Sequence, residues 1–175
     1  FENGSVAIAY DSRIKSDKFA KEAAAVLAAN GIKVYIYSEL MPTPMLSWAV
    51  RELKCQAGIV ITASHNPAKY NGYKVYGEDG CQITLDVANT VIGKINAVEM
   101  FGGAKVMDFE DGIKSGKIEY IKQDVIDKYL DKVAQQGVHT DLVADSGLKV
   151  VYTPLNGTGN KPVRAILKKI GIKEV

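Results

Sequence analysis

Residues Ala57 to Thr62 read Ala-Gly-Ile-Val-Ile-Thr, an uncharged run too apolar to leave either face in water. A strand of this kind is buried on both sides, and it belongs in a parallel sheet with helices packed above and below. Two further apolar stretches precede it, Ser5 to Tyr10 and Ile32 to Tyr37. Between the first two, Phe19, Ala20, Ala23, Ala24, Val26 and Leu27 recur with helical period, and Gly31 stops them. Ser16 stands where a hydroxyl can cap that helix. Pro42 and Pro44 mark a rigid loop, and Pro44 can open a helix carrying Leu46, Val50 and Leu53. The order βαβαβ predicts an α/β fold with a mixed, mostly parallel sheet, right-handed crossovers and flanking helices.

Beyond the third strand the signals change. Asn71-Gly72 is a turn, Tyr73 to Tyr76 alternates as an edge strand does, and Glu78-Asp79-Gly80 turns again. Thr84 can cap a helix bearing Leu85, Ala88, Val91, Ile92 and Ile95. Phe101-Gly102-Gly103 and Asp108 to Gly116 read as a long polar loop. Helix resumes from Asp124 to Gln136, with Val125, Ile126, Tyr129, Leu130 and Val133 on one face. Gly137 to Gly147 reads as a linker. Lys149 to Tyr152 reads as a fresh strand, followed by Asn156-Gly157-Thr158-Gly159 and a helix with Val163, Ile166 and Ile170. The expected organisation is a first domain over 1–140. Residues 141–175 then supply a linker and the first β-α unit of a second, unfinished domain. The chain opens at Phe1 without a methionine and reads as a piece of something longer.

Composition narrows the partners. The 22 basic and 20 acidic residues leave a net charge of +2. The densest basic stretch, Lys168-Lys169 to Lys173, reads as a solvated helix face. No basic stripe supports nucleic-acid binding, and no apolar run approaches the roughly 20 residues that span a bilayer. Cys55 and Cys81 have no metal-ligand spacing, which points to a reducing cytoplasm rather than a disulfide framework.

Reactive chemistry concentrates where the third strand breaks into Ser64, His65, Asn66 and Pro67. In open α/β sheets ligands bind beyond the carboxyl ends of the strands. Ser64 is a nucleophile in need of activation and His65 a titratable neighbour. The same loop reads equally well as a capped turn. A serine hydrolase would need a carboxylate behind His65, and the Gly-x-Ser-x-Gly elbow is absent. A short antiparallel return can bring Lys74 beside the loop to favour a phosphate, or Lys74 is a solvated edge-strand residue. Asp11 and Arg13 lie past the end of the first strand. Arg13 can grip an anion or form an ion pair that fixes the loop, with Asp11 as its partner. Asn156 to Gly159 reads as a tight turn, and Asp108, Glu110 and Asp111 as a solvated loop without EF-hand spacing.

Thr62-Ala63-Ser64-His65-Asn66-Pro67 resembles the phosphoserine loop of the α-D-phosphohexomutases. Tyr70-Asn71-Gly72-Tyr73-Lys74-Val75-Tyr76-Gly77-Glu78-Asp79-Gly80 is similar to the phosphoglucomutase branch. The likeness extends to Tyr10-Asp11-Ser12-Arg13, to Pro42-Thr43-Pro44 and to Val151-Tyr152-Thr153-Pro154-Leu155-Asn156-Gly157-Thr158-Gly159. The resemblance implies a four-domain enzyme, of which these residues match the first domain and the start of the second. It also implies phosphoryl transfer from Ser64 to glucose 1-phosphate through glucose 1,6-bisphosphate, with Mg2+ bound to the serine's phosphate. His65 and Lys74 match positions that move protons or steady charge, and Asn66, Asp11 and Arg13 match positions that bind substrate or support the loop. The family's Asp-Gly-Asp-x-Asp-Arg metal loop is absent, as are the sugar-discriminating loop, the last domain's phosphate site and the glycine-and-arginine N-terminal segment. The expectation is a catalytically silent piece of a phosphoglucomutase that acts on hexose phosphates and packs on the missing domains of its parent. Phosphomannomutase, phosphopentomutase and a non-catalytic binding module are the alternatives.

Overall fold

A computed structural model describes residues 4–175. The chain gathers into two compact units, one ending at Ile121 and one running from Lys122 to Val175.

The first unit is built on a five-stranded sheet. In chain order its elements are β1 (Ser5–Tyr10), α1 (Ser16–Ala29), β2 (Lys33–Ile36), α2 (Thr43–Glu52), β3 (Ala57–Ile61), β4 (Tyr73–Gly77), α3 (Leu85–Asn96), α4 (Phe109–Lys114) and β5 (Ile118–Tyr120). The strand order is β4-β3-β1-β2-β5. All pairs are parallel except β3 with β4. The sheet is therefore mixed and mostly parallel, as the apolar runs require.

Alternation along the strands divides the core. Val6, Ile8, Ile59, Ile61, Val34, Ile36 and Ile118 form one buried cluster with Ala20, Ala24 and Ala28 of α1. Each fully buried Ile contributes about 1.5–3 kcal/mol relative to exposure. The alanines let α1 lie close to the sheet, whereas Phe19, expected on this face, is about half exposed. On the opposite face α2 packs over Gly58, where an added Cβ would stand 2.5 Å from Val50 Cγ2. The third strand is buried on both faces because each face has its own helix.

Several local expectations need correction. Asp108 to Gly116 holds α4 rather than a loop: Asp108 caps it by accepting the Asp111 N–H at 3.0 Å. Glu110 and Asp111 complement the dipole of its first turn. β5, unforeseen, follows at once and pairs with β2. Gly112 belongs inside this helix because a Cβ there would meet Ile118 Cδ1 at 2.5 Å. Thr84 occupies the N-cap of α3 but its side chain makes no capping bond. Ser16 does not cap α1 either; Lys15 precedes the helix at φ 65°.

The second unit contains α5 (Gln123–Ala134), α6 (Asp141–Ala144) and α7 (Asn160–Lys169). α6 lies within the expected linker. α5 and α7 are tied by the Lys169–Asp131 ion pair at 2.6 Å. Lys149 to Tyr152 does not form a strand. Its only ladder contact among the described residues is a parallel bridge between Lys149 and Glu174, and Val151 is fully exposed. A strand needs partners for its backbone groups along its length, and only Glu174 serves here.

Candidate functional site

The site follows from the pairing of β1 with β3. Their parallel register sets Tyr10 beside Ile61, so Asp11 and Thr62 leave the sheet as neighbours. The Asp11 N–H extends the ladder to the Ile61 carbonyl at 3.1 Å. Asp11 then turns its carboxylate inward. One oxygen accepts the Ser16 hydroxyl at 2.8 Å and the Arg13 N–H at 3.0 Å, and the other accepts the Thr62 hydroxyl at 2.6 Å. A carboxylate only accepts, so both hydroxyls are donors.

Ser64 has φ 58°, in the left-handed region. A residue with a Cβ costs roughly 1–2 kcal/mol there, and such a conformation persists only where its surroundings over-determine it. They do so here. The Ser64 N–H donates to Thr62 Oγ1 at 3.0 Å, and the Asn66 N–H donates to the Ala63 carbonyl at 3.1 Å. Arg13 does the rest. Its Nη1 donates to the carbonyls of Pro67 and Tyr70, and its Nη2 to those of Ser64 and Asn66, at 2.5 to 3.0 Å. The Arg13 side chain is only 10% exposed. Its Nε lies 3.2 Å from an Asp11 oxygen, yet the N–H finds no aligned acceptor, so that contact is charge against charge rather than a hydrogen bond. Of the two sequence readings of Arg13, the geometry corresponds to the ion pair with Asp11, and the guanidinium also grips the serine loop through four backbone carbonyls.

The hydroxyl of Ser64 lies 3.3 Å from His65 Nδ1, and both residues are exposed. Successive side chains in an extended strand point apart; the left-handed turn at Ser64 removes that alternation. No carboxylate reaches His65 among the described residues, so the third member of a hydrolase triad is missing. Asn66 is exposed and acts in the loop through its main chain.

Lys74 is half-buried and pairs with Val60. The antiparallel return places the start of β4 at the carboxyl end of β3, beside the serine loop. Gly72 permits this approach: its Cβ would stand 2.7 Å from the Thr62 carbonyl oxygen, which accepts nothing bulkier. Sequence reasoning missed Thr62, Ser16 and Asn71 as parts of the site. Asn71 Nδ2 donates to Ser16 Oγ at 2.9 Å, a link between a helix start and a hairpin that no local spacing announces.

No group of three or more His, Cys, Asp or Glu side chains converges among the described residues, and the Asp11 oxygens are committed to hydroxyls, an amide and Arg13. In the second unit, the turn runs from Pro154 to Gly157, closed by the Gly157 N–H to the Pro154 carbonyl at 2.9 Å, and Gly159 stands at the N-cap of α7.

Residues 1–101 match the model of the phosphoglucomutase/phosphomannomutase alpha/beta/alpha domain I. The chain is 38% identical to a phosphoglucomutase of Staphylococcus haemolyticus over 181 residues, covering 99% of this chain and 31% of that protein. It is 35% identical to a phosphoribomutase of Saccharomyces cerevisiae, covering 93% of this chain and 28% of that protein. Among solved structures, one from Thermus thermophilus described as a phosphomannomutase superposes with a TM-score of 0.79 at 26% identity, over 98% of this chain and 36% of its own. Parafusin of Paramecium shares the fold, with a TM-score of 0.74 at 18% identity, over 96% of this chain and 34% of its own. The fold and the matched model together define residues 1–101 as an alpha/beta/alpha domain I of this kind. The chain belongs to the phosphoglucomutase/phosphomannomutase family, and it spans about a third of the length of these relatives.

Proposed function

We propose that Ser64 is the phosphate carrier of a phosphoglucomutase that interconverts glucose 1-phosphate and glucose 6-phosphate. The observation that supports this best is the loop itself: an exposed hydroxyl on a left-handed turn, immobilised through its backbone while its side chain stays accessible. Such preorganisation suits group transfer, because the reacting atom is held in place before substrate arrives.

In the forward direction the phosphorus–oxygen bond to Ser64 Oγ breaks. A new one forms to the free hydroxyl of glucose 1-phosphate, whose proton leaves to a base. The product is glucose 1,6-bisphosphate. After it reorients, its other phosphate returns to Ser64. In this reading His65 takes up the proton and Lys74 offsets charge on the phosphoryl oxygens. Asp11, Arg13 and the Asn66 backbone keep the loop in shape.

A bound Mg2+ would supply electrostatic polarisation of the phosphoryl group. Among the described residues the Ser64 phosphate is the candidate ligand, and no group of three or more His, Cys, Asp or Glu side chains converges to complete a metal site. For the same reason the chain alone is expected to be catalytically silent, and residues 1–140 to act as one domain that packs on the remainder of a longer protein. A cytoplasmic setting accords with the two unpaired cysteines. Among the described residues no helix is long and apolar enough to cross a membrane.

Incubation with glucose 1,6-bisphosphate and intact-mass measurement test the carrier role in the whole protein. An adduct of one phosphoryl group that maps to Ser64 and disappears in Ser64→Ala is expected; a phosphate mapped elsewhere overturns it. Appreciable turnover of glucose 1-phosphate by the 175-residue chain would overturn its silence. The likeness to a phosphoribomutase keeps pentose phosphates as a second reading of the substrate, and ribose 1-phosphate in the same assay decides it.

A further inference from the structure

Ser64 and Lys74 approach the site on different segments, and one closed ring of hydrogen bonds joins them. The Gly72 N–H donates to Asn71 Oδ1 at 2.8 Å, which fixes the orientation of that amide. Asn71 Nδ2 therefore donates to Ser16 Oγ at 2.9 Å. The Ser16 proton goes to Asp11 at 2.8 Å, and the Thr62 proton goes to the other Asp11 oxygen at 2.6 Å. The main chain closes the ring where the Thr62 N–H donates to the Gly72 carbonyl at 3.0 Å. Because Thr62 gives its proton to Asp11, its lone pairs are left for the Ser64 N–H at 3.0 Å.

Each donor direction is forced by the next, and hydrogen bonds in such chains polarise one another. Ser16 is wholly buried at the start of α1 yet makes no capping bond. A buried hydroxyl is costly unless it is bonded, and this one is used twice, as acceptor and as donor, by groups from two other segments. The local helix does not require it. The ring does.

We propose that Ser16 and Asn71 are positioning residues. Through Asp11 and Thr62 they hold the Ser64 backbone and the first residues of β4 as one body, so that the Ser64 hydroxyl and Lys74 keep a fixed separation during phosphoryl transfer. This inference rests on the reading of Ser64 as the carrier, but the ring itself is open to measurement without turnover.

Two experiments test it. In the 175-residue chain, amide exchange followed by NMR should show Ser64 protection falling roughly fivefold or more in Ser16→Ala and Asn71→Ala, with the Ile8 and Ile59 amides unchanged, since local openings are independent of the core. Thr62→Val should lose the same protection, and Thr62→Ser, which keeps the hydroxyl, should recover most of it. Unchanged Ser64 protection in Asn71→Ala, or equal loss in both Thr62 variants, overturns the ring. In the whole protein, Asn71→Ala should lower kcat about tenfold with KM within about twofold of the parent, because misplacement of a reacting group acts on the chemical step. An unaltered kcat, or a loss confined to KM, overturns the positioning role. A whole protein that turns over no sugar phosphate refutes the proposed function, whereas the exchange result alone decides whether the ring holds the loop.

Discussion

Arg13 Nη2 stands 2.7 Å from the carbonyl oxygen of Ser64, 51 positions further along the chain. A side chain leaving the first strand thereby sets the path of the loop that follows the third. The guanidinium suits this task because its donors form a rigid planar fork that serves several acceptors at once.

Arg13→Lys should release the loop. An ammonium has three donors and cannot satisfy four separated carbonyls together with Asp11. A stability loss of about 1–3 kcal/mol is expected from the lost charged hydrogen bonds, with faster amide exchange from Ser64 to Gly72 than in the core. Urea denaturation with exchange mass spectrometry checks both; a loop protected as in the parent would refute the clamp.

Gly72→Ala should destabilise by about 1–3 kcal/mol through overpacking, because the 2.7 Å neighbour of its Cβ is a backbone oxygen that cannot swing aside. Gly93 is the control. It lies inside α3 with nothing within 4 Å of an added Cβ, so Gly93→Ala should stabilise by about 0.5–1 kcal/mol. Opposite signs in denaturant midpoints are the expected result.

Burial pushes the Cys55 thiol up, with the Ser5 hydroxyl partly offsetting it. The unfolded chain then ionises this thiol first, from about pH 8.5. The Cys55 contribution is complete below that value and is lost as pH rises toward the folded-state pKa. The stability difference between the parent and Cys55→Ala should therefore shrink between pH 8 and 10, by at most about 1.4 kcal/mol per pH unit. Tyr10 and Tyr76, which burial also raises, cancel in that difference. Exposed Cys81 should be alkylated before buried Cys55 at neutral pH.

No residue of α3 is buried, and Leu85, Ile92 and Ile95 are all more than half exposed. Apolar faces of this kind promote association. The apparent mass by light scattering should rise with concentration for this chain and rise less for the double variant Ile92→Glu, Ile95→Glu. A strictly monomeric parent would refute it.

The sheet was legible because burial writes its period directly into the chain: unbroken apolar strands and alanine-rich helical spacing survive without partners in view. α4 was not legible. Gly112 and Gly116 signal a loop, and only Ile118, lying against Gly112, explains a glycine inside a helix. Ser64, His65 and Lys74 stood out by their chemistry and place. Ser16 looked like a cap because propensity is local, while its two partners lie on other segments. The reach of Arg13 across more than fifty residues has no local signature at all.

On the serine loop, the two Nη groups of Arg13 donate to main-chain oxygens. Ser64, Asn66, Pro67 and Tyr70 are held by an atom that every amino acid carries. The course of the loop is thus uncoupled from the identity of most side chains on it. Descendants of this sequence can change what the loop displays without altering where it displays it, on a frame that does not need to be rebuilt.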